Sequence, residues 1–256
     1  MTLCIMRSVH GIKFVTAPIL ETDKITHAFL TRIGGIDGRN EDRLENIEGN
    51  TAKTSKVFGF TSSKLITVNQ VHGDDIVIID GKQSTAKGVC ADAITTNLKG
   101  VPIGVLTADC LPVILFDPIN TAVGIVHAGW RGTLKRIVSK TVSVMNKRWG
   151  SSYNQMLAGL GPCVGECCYN VGKDVVERFR TEFSDSRDFI KSKENEWHLN
   201  FKRANYNQLV FLGLLKKNIW VSRYCTSCRK DLFFSYRRDN KETGRQLSFV
   251  MIREGI

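Results

Sequence analysis

The sequence predicts one domain that mixes β-strands with α-helices, and three observations carry that prediction. Short runs of branched and aromatic residues are punctuated by glycine, asparagine and proline, as strands are. Other segments keep apolar residues at helical spacing. No linker-like stretch divides the 256 residues, a length that one large core can serve.

In chain order, Gly11 to Pro18 and Ile25 to Thr31 read as strands, and Arg32-Ile33-Gly34-Gly35 ends the second in a turn. Ile36 to Asn50 is polar and aperiodic, a surface loop, and Thr51 to Phe58 forms a short helix before Gly59. Leu65 to Val71 is a strand running into Gln70-Val71-His72-Gly73, followed by a buried strand at Ile76 to Ile79. Ile103 to Leu106, Val113 to Phe116 and Ala122 to Val126 are buried strands, the last two joined by a turn at Asp117-Pro118-Ile119-Asn120. Leu134, Ile137, Val138, Thr141, Val142, Met145 and Trp149 then follow a helical period. Met156 to Leu160 is a strand, Gly172 to Arg180 a helix, and Phe183 to Glu196 a polar surface excursion. Tyr206 to Leu215 suggests a helix toward Lys216-Lys217, and Ile219 to Arg223 and Ser248 to Ile252 are closing strands.

Hydrophobic content of 42% and charged content of 24% are those of a globular protein. The opening MTLCIMRSVHGIKF lacks a signal peptide's apolar core, and no 18 apolar residues run together. The expectation is a cytoplasmic protein that does not enter a membrane. Its eight cysteines then read as reduced thiols. The formal charge of +11 is spread along the chain without a basic block or recognition motif, so nucleic acid is not an expected partner; anionic small molecules are. The exposed face of the Leu134 to Trp149 helix could serve self-association as well as solvent.

Chemistry collects at strand ends, where a rigid sheet can hold side chains at a cleft. Cys110 follows one buried strand, His127 follows another, and His72 also closes a β-rich run. Two imidazoles and a thiolate from three segments match a catalytic zinc site, which takes three protein ligands at roughly 2.0 to 2.3 Å and leaves a fourth position open. A helix starting near His127 would aim its N-terminus at the same cleft, and Arg131 would add a guanidinium for an anion. His27 reads as either a core histidine or a site residue. Cys225-x-x-Cys228 could be half of a structural zinc site, completed by Cys163, Cys167 and Cys168, or a redox dithiol. The second half lacks the usual close spacing, so the reading favours Cys225 packing near the site with Cys228 incidental. Arg237 and Arg238, placed after an aromatic strand, line an anionic cleft or face solvent.

Several motifs together carry a resemblance. They are His27-Ala28-Phe29, Thr31-Arg32 with Gly34-Gly35, Gln70-Val71-His72, Ala91-Asp92-Ala93, Thr107 to Pro112, and His127-Ala128-Gly129-Trp130-Arg131-Gly132. Gly161-Pro162-Cys163, Cys168 to Gly172, Cys225-Thr226, Phe233 to Arg237 and Thr243-Gly244-Arg245 extend it along nearly the whole chain. In order and spacing they resemble the laccase-domain family, the YfiH-type purine nucleoside phosphorylases. The resemblance implies a single-domain α+β fold over residues 1–256, with mixed β-sheets flanked by helices. It implies zinc held by His72, Cys110 and His127, with Asp109 joining them in the catalytic set. Arg131, Asp92 and Gln70 are the expected substrate and phosphate contacts.

The activity implied is phosphorolysis of adenosine, inosine and methylthioadenosine, together with adenosine deamination. An older description of the family as copper-dependent polyphenol oxidases makes Cu2+ the alternative ion. Zinc lowers the pKa of bound water toward roughly 7, which suits attack on C6 of adenine; a carboxylate would then shuttle the proton, either Asp109 or Asp92. Both carboxylates could instead cap a turn or orient a histidine. Where the family carries Ser-Leu-Asn and then Asn-Arg, this chain has Leu44-Glu45-Asn46 and Asn50-Thr51, implying a shortened loop at 36–51 and weaker substrate binding. Three classes follow: the zinc phosphorylase, the copper oxidase, for which His10 and His198 belong to no obvious cluster, and a non-catalytic binding protein with a degenerate loop.

Overall fold

The computed structural model describes residues 5–33, 43–81, 86 and 88–255, with side chains from residue 51 onward in the first helix. The chain opens with a hairpin of β1 (Ile5–Val9) and β2 (Ile12–Thr16), then β3 (Ile25–Leu30). The hairpin turns at His10 and Gly11, both at positive φ, the conformation that matches the twist of a two-residue turn. After α1 (Arg43–Phe58) come β4 (Ile76–Ile79), β5 (Ala93–Thr96), β6 (Ile103–Thr107), β7 (Leu111–Asp117) and β8 (Ala122–Ala128). Next are α2 (Trp130–Leu134), α3 (Ile137–Trp149), β9 (Leu157–Leu160), β10 (Asn170–Val171) and α4 (Lys173–Glu182). The chain closes with β11 (Ile190–Lys193), β12 (Glu196–Leu199), α5 (Phe201–Leu212), β13 (Ile219–Val221) and β14 (Gln246–Ile252).

A six-stranded sheet runs β13-β9-β7-β8-β5-β4, with parallel pairs only at its two ends. An antiparallel five-stranded sheet runs β1-β2-β3-β14-β6, and β10-β12-β11 form a small third sheet. The period-2 pattern of the central strands sets the layers. Ile114, Phe116, Val123 and Ile125 face Val15, Phe29, Ile103, Val105 and Val250 of the second sheet. Their neighbours Val113, Leu115 and Val126 turn the other way, onto Val138, Val142 and Met145 of α3, with Phe179 and Leu209 of the later helices in the same cluster. The outer face of the second sheet is closed by α1, whose Phe58 lies 4.9 Å from both Phe14 and Phe249. The architecture is α+β with mixed sheets and flanking helices, as the resemblance implies. Among the described residues no helix is long and apolar enough to cross a membrane.

Several local expectations are corrected. Residues 43–50 belong to α1 rather than to a loop; Gly34-Gly35 and residues 36–42 lie outside the described residues. Leu65 to Val71 is no strand. It touches β6 through the single bridge Ile66–Ile103, and the Gln70 amide then bonds both backbone groups of Leu106 at 2.8 Å. The helix expected from Leu134 to Trp149 is broken by Arg136, which takes φ 63 and separates α2 from α3. The excursion from Phe183 to Glu196 instead forms β11 and the start of β12, anchored by buried Phe183 and Phe189, the first stacked on Phe179 and the second edge-on to it. Gly213, at φ 110, stops α5 before the paired lysines. Phe233 to Tyr236 forms no strand.

His27 is a core residue of β3, 6% exposed, and its Nε2 accepts a hydrogen bond from the Ala17 N–H at 3.0 Å. Burial lowers its pKa to about 4, against an opposing pull from Glu21. The folded protein therefore keeps His27 neutral where the unfolded chain would protonate it. Its contribution is full above the unfolded value of about 6.5 and is lost as pH falls toward 4, by then about 3 kcal/mol. Urea midpoints measured from pH 7 to 4.5 should fall less steeply in His27→Gln, which keeps an acceptor but cannot protonate; parallel slopes would count against this account.

Candidate metal centre and cleft

The centre is assembled where β7 begins and β8 ends. The two strands are antiparallel neighbours, pairing Leu111 with Ala128 and Pro112 with His127, so Cys110 and His127 emerge at the same sheet end. His72 arrives on the loop before β4 at φ 58. One ligand atom from each of His72, Cys110 and His127 lies within 4.8 Å of the others, and the imidazole rings sit 4.8 Å apart, nearly perpendicular. Gly129 makes this approach feasible: a Cβ there would stand 3.1 Å from His72 Cδ2 and 3.2 Å from Cys110 Sγ.

Asp92, fully buried, organises two of the three ligands. Its Oδ1 accepts from His127 Nδ1 at 2.6 Å and from the His72 N–H at 3.0 Å, while Oδ2 accepts from the N–H groups of Val71 and Gly73. Donating Nδ1–H to Asp92 leaves His127 Nε2 available to an ion, the usual carboxylate–histidine relay of metal centres. Burial pushes Cys110 toward the neutral thiol, but His127 and His72 outweigh it and bring the pKa down to about 6. Burial likewise disfavours the charged His127, yet Cys110 and Asp92 raise it to about 9. Two imidazoles and an ionised thiolate form a donor set that a zinc ion fits.

The ligands open onto a cleft of about 970 Å3. One wall is aromatic, with Trp130, Tyr169, Phe201 and Tyr236; four cations, Arg131, Arg237, Lys241 and Arg245, line it as well. Arg131 lies over the Trp130 ring at 4.3 Å and has no ion pair with a described residue. Arg237 lies over Tyr169 at 5.1 Å and donates to the side chain and carbonyl of Asn170. Arg238 turns away, donating to Asp239 and to the carbonyls of Thr226, Ser227 and Phe233.

The remaining sequence candidates divide. Gln70 lines the cleft, but its amide is committed to Leu106. Asp92 does not reach the cleft; all its described partners lie within the ligand loops. Asp109, at φ 85 and 7% exposed, accepts from Thr226 Oγ1, Ser235 Oγ and the Arg237 N–H, at 2.5, 2.9 and 2.6 Å. The helix near His127 is α2, a single turn without the macrodipole of a long helix, because the break at Arg136 turns α3 elsewhere. Tyr169, Phe201, Tyr236 and Lys241 escaped sequence reading as site residues. The basic run from Tyr236 to Arg245 signalled Tyr236 and Lys241, while Tyr169 and Phe201 carried no such local signal.

The cleft thus joins a candidate imidazole–thiolate metal site to aromatic and cationic walls. The chain belongs to the family described as multi-copper polyphenol oxidoreductase laccase, which residues 26–253 match. It is similar to a purine nucleoside phosphorylase of Deinococcus radiodurans, 34% identical over 258 residues and 96% of each chain. It is also 31% identical to adenosine deaminase RL5 of an unknown prokaryotic organism, over 87% of this chain and 92% of that one. The human purine nucleoside phosphorylase LACC1 is 31% identical over 91% of this chain, which spans 56% of that longer protein. The crystal structure of YlmD from Geobacillus stearothermophilus superposes with a TM-score of 0.89 at 28% identity, covering 98% of this chain and all of that one.

Asp92→Asn should weaken zinc binding by roughly 10- to 100-fold, the usual cost of losing a partner of a ligating histidine. Competition against a chromophoric chelator measures this, with circular dichroism to confirm folding; unchanged affinity in a folded variant would sink the role given to Asp92.

Proposed function

We propose that the protein is a zinc-dependent purine nucleoside phosphorylase acting on adenosine, inosine and methylthioadenosine, with adenosine deaminase activity, built as one domain and working in the cytoplasm. The observation that carries this reading is the meeting, in one cleft, of the His72–Cys110–His127 donor set with aromatic rings and cations that suit a purine and a phosphate. The phosphorylase and deaminase names of the similar proteins support the same activities.

In phosphorolysis a phosphate oxygen forms a bond to C1′ of the ribose as the N9–C1′ bond breaks, its electron pair leaving with the base. Arg131 supplies a planar fork for two phosphate oxygens, and Lys241 and Arg245 add positive charge to the same cleft. Tyr169, Tyr236 and Trp130 offer faces for the purine and keep water from the reacting carbon. His72, Cys110 and His127 would hold the zinc, which when bound supplies a Lewis acid for negative charge developing in the substrate. Asp92 keeps His127 in its ligating tautomer. Asp109, occupied by three donors, positions Arg237 and the Thr226 loop rather than moving protons.

The copper-oxidase reading is less well supported. His10, His27 and His198 stand apart from the His72–Cys110–His127 group, and His198 instead bonds the Glu166 carbonyl at 2.6 Å. Multicopper electron transfer needs more ligands than one three-donor set.

Chromatography of products from adenosine, with and without phosphate, tests the proposal. Adenine that forms only with phosphate marks phosphorolysis, and inosine formed without phosphate marks deamination; both should vanish in Cys110→Ala and after zinc removal. Neither product from a folded, zinc-loaded chain would leave the non-catalytic reading standing. Arg131→Met should raise KM for phosphate by at least roughly tenfold with a smaller change in kcat, as loss of a charge-assisted bond worth about 1.5–3 kcal/mol requires.

A further inference from the structure

Away from the cleft's ligand set, two loops distant in sequence bring four cysteines together. The loop after β9 supplies Cys167 and Cys168, and the loop after β13 supplies Cys225 and Cys228. Their four sulfurs all lie within 4.8 Å of one another, with Cys228 Sγ at 3.6 Å from Cys167 Sγ and 3.4 Å from Cys168 Sγ. Four sulfurs about 2.3 Å from one zinc stand about 3.8 Å apart at the corners of a tetrahedron. The observed spacing is therefore near that of a closed four-thiolate site, and too tight to enclose a multi-iron cluster. The sequence reading that left Cys228 incidental is corrected here; the adjacent pair Cys167-Cys168 replaces the spaced pair usual in such sites. Cys163 is excluded from the group, buried and pushed up to about 12 by desolvation.

The surroundings are built to bring the sulfurs together. The two loops pair through a bridge between Cys163 and Cys225, and the Gly165 N–H donates to Cys225 Sγ at 3.2 Å, a bond that favours a thiolate. A Cβ at Gly165 would lie 3.2 Å from Cys167 Sγ and 3.3 Å from Cys225 Cβ, so this turn leaves little room for a larger residue. The Arg238 guanidinium, held by Asp239, donates to the carbonyls of Thr226 and Ser227, between the two cysteines of the second loop, and fixes that turn. Cys167 and Cys228 are exposed, which leaves an entry path for an ion.

We propose that Cys167, Cys168, Cys225 and Cys228 form a second, structural zinc site that ties the two loops together. The tie has a consequence for the cleft. Tyr169, directly after Cys168, lines it, and Thr226, directly after Cys225, donates to Asp109.

The test is elemental analysis of the full chain purified under reducing, anaerobic conditions, paired with cobalt substitution. Two zinc ions per chain are expected in the wild type, one in Cys110→Ala, and none in Cys110→Ala with Cys228→Ser. Cobalt loaded into Cys110→Ala should show the intense near-ultraviolet thiolate-to-cobalt bands of a four-sulfur tetrahedral site, lost on adding Cys228→Ser. A cobalt titration of the wild type reads the same signature without depending on how a variant folds. One zinc per wild-type chain with no four-sulfur cobalt spectrum overturns the proposal, as does a disulfide linking Cys228 to Cys167 or Cys168 that persists under these conditions.

Discussion

The centre depends on one buried carboxylate. Asp92 gathers three consecutive backbone N–H groups of the His72 loop and the ring of His127 onto its two oxygens, so the loop before β4 is welded to the end of β8. Removing such a carboxylate would leave several donors without their acceptor. The weld also explains how His72 holds a left-handed backbone at φ 58, a conformation that a non-glycine residue keeps only when its surroundings demand it. Asp109 repeats the device across the centre at φ 85, its three donors drawing in the chain around Thr226, Ser235 and Arg237. Two inward carboxylates thus organise the candidate ligands and the cationic wall, Asp92 behind the cleft and Asp109 in its lining.

The cleft's cations stay available because the carboxylates closest to the centre are occupied elsewhere. Surface ion pairs such as Lys135 and Lys140 with Asp74, or Arg148 with Asp80, draw on other acids. Arg131, Arg237 and Arg245 rest against aromatic rings, which hold a guanidinium without neutralising it. The result is a positive, partly apolar recess whose arginines have no ion pair among the described residues.

How much of this was legible in the sequence follows from the range of the interactions involved. The buried strands around Val113 to Phe116 and Ala122 to Val126 were readable because a fully buried strand needs an unbroken apolar run, and β7 and β8 have one. His72, Cys110 and His127 could be picked out by their places at the ends of such runs. The Leu65 to Val71 stretch misled because its composition suits a strand, while the Gln70 amide replaces the ladder to β6. The β11–β12 hairpin was hidden because its polar sequence is held by two phenylalanines packed on a helix rather than by its own pattern. The four-cysteine group could be named from the sequence but was discounted, because Cys167-Cys168 lacks the usual spacing and only the fold brings it to Cys225 and Cys228 across α4, α5 and the small sheet. The break at Arg136 left no composition signal, since arginine is a good helix former.

β14, formed by residues 246–252, lies inside its sheet, hydrogen-bonded to β3 on one side and β6 on the other. During synthesis both of those partners leave the ribosome long before it does. Until then each presents an unpaired edge beside the apolar faces that will become the core, the arrangement most prone to pairing with a neighbouring chain. This sheet therefore closes last at an interior strand. Mutations that delay docking of residues 246–252 should harm yield before they harm the finished protein, because nascent chains waiting for this interior strand are the ones that aggregate.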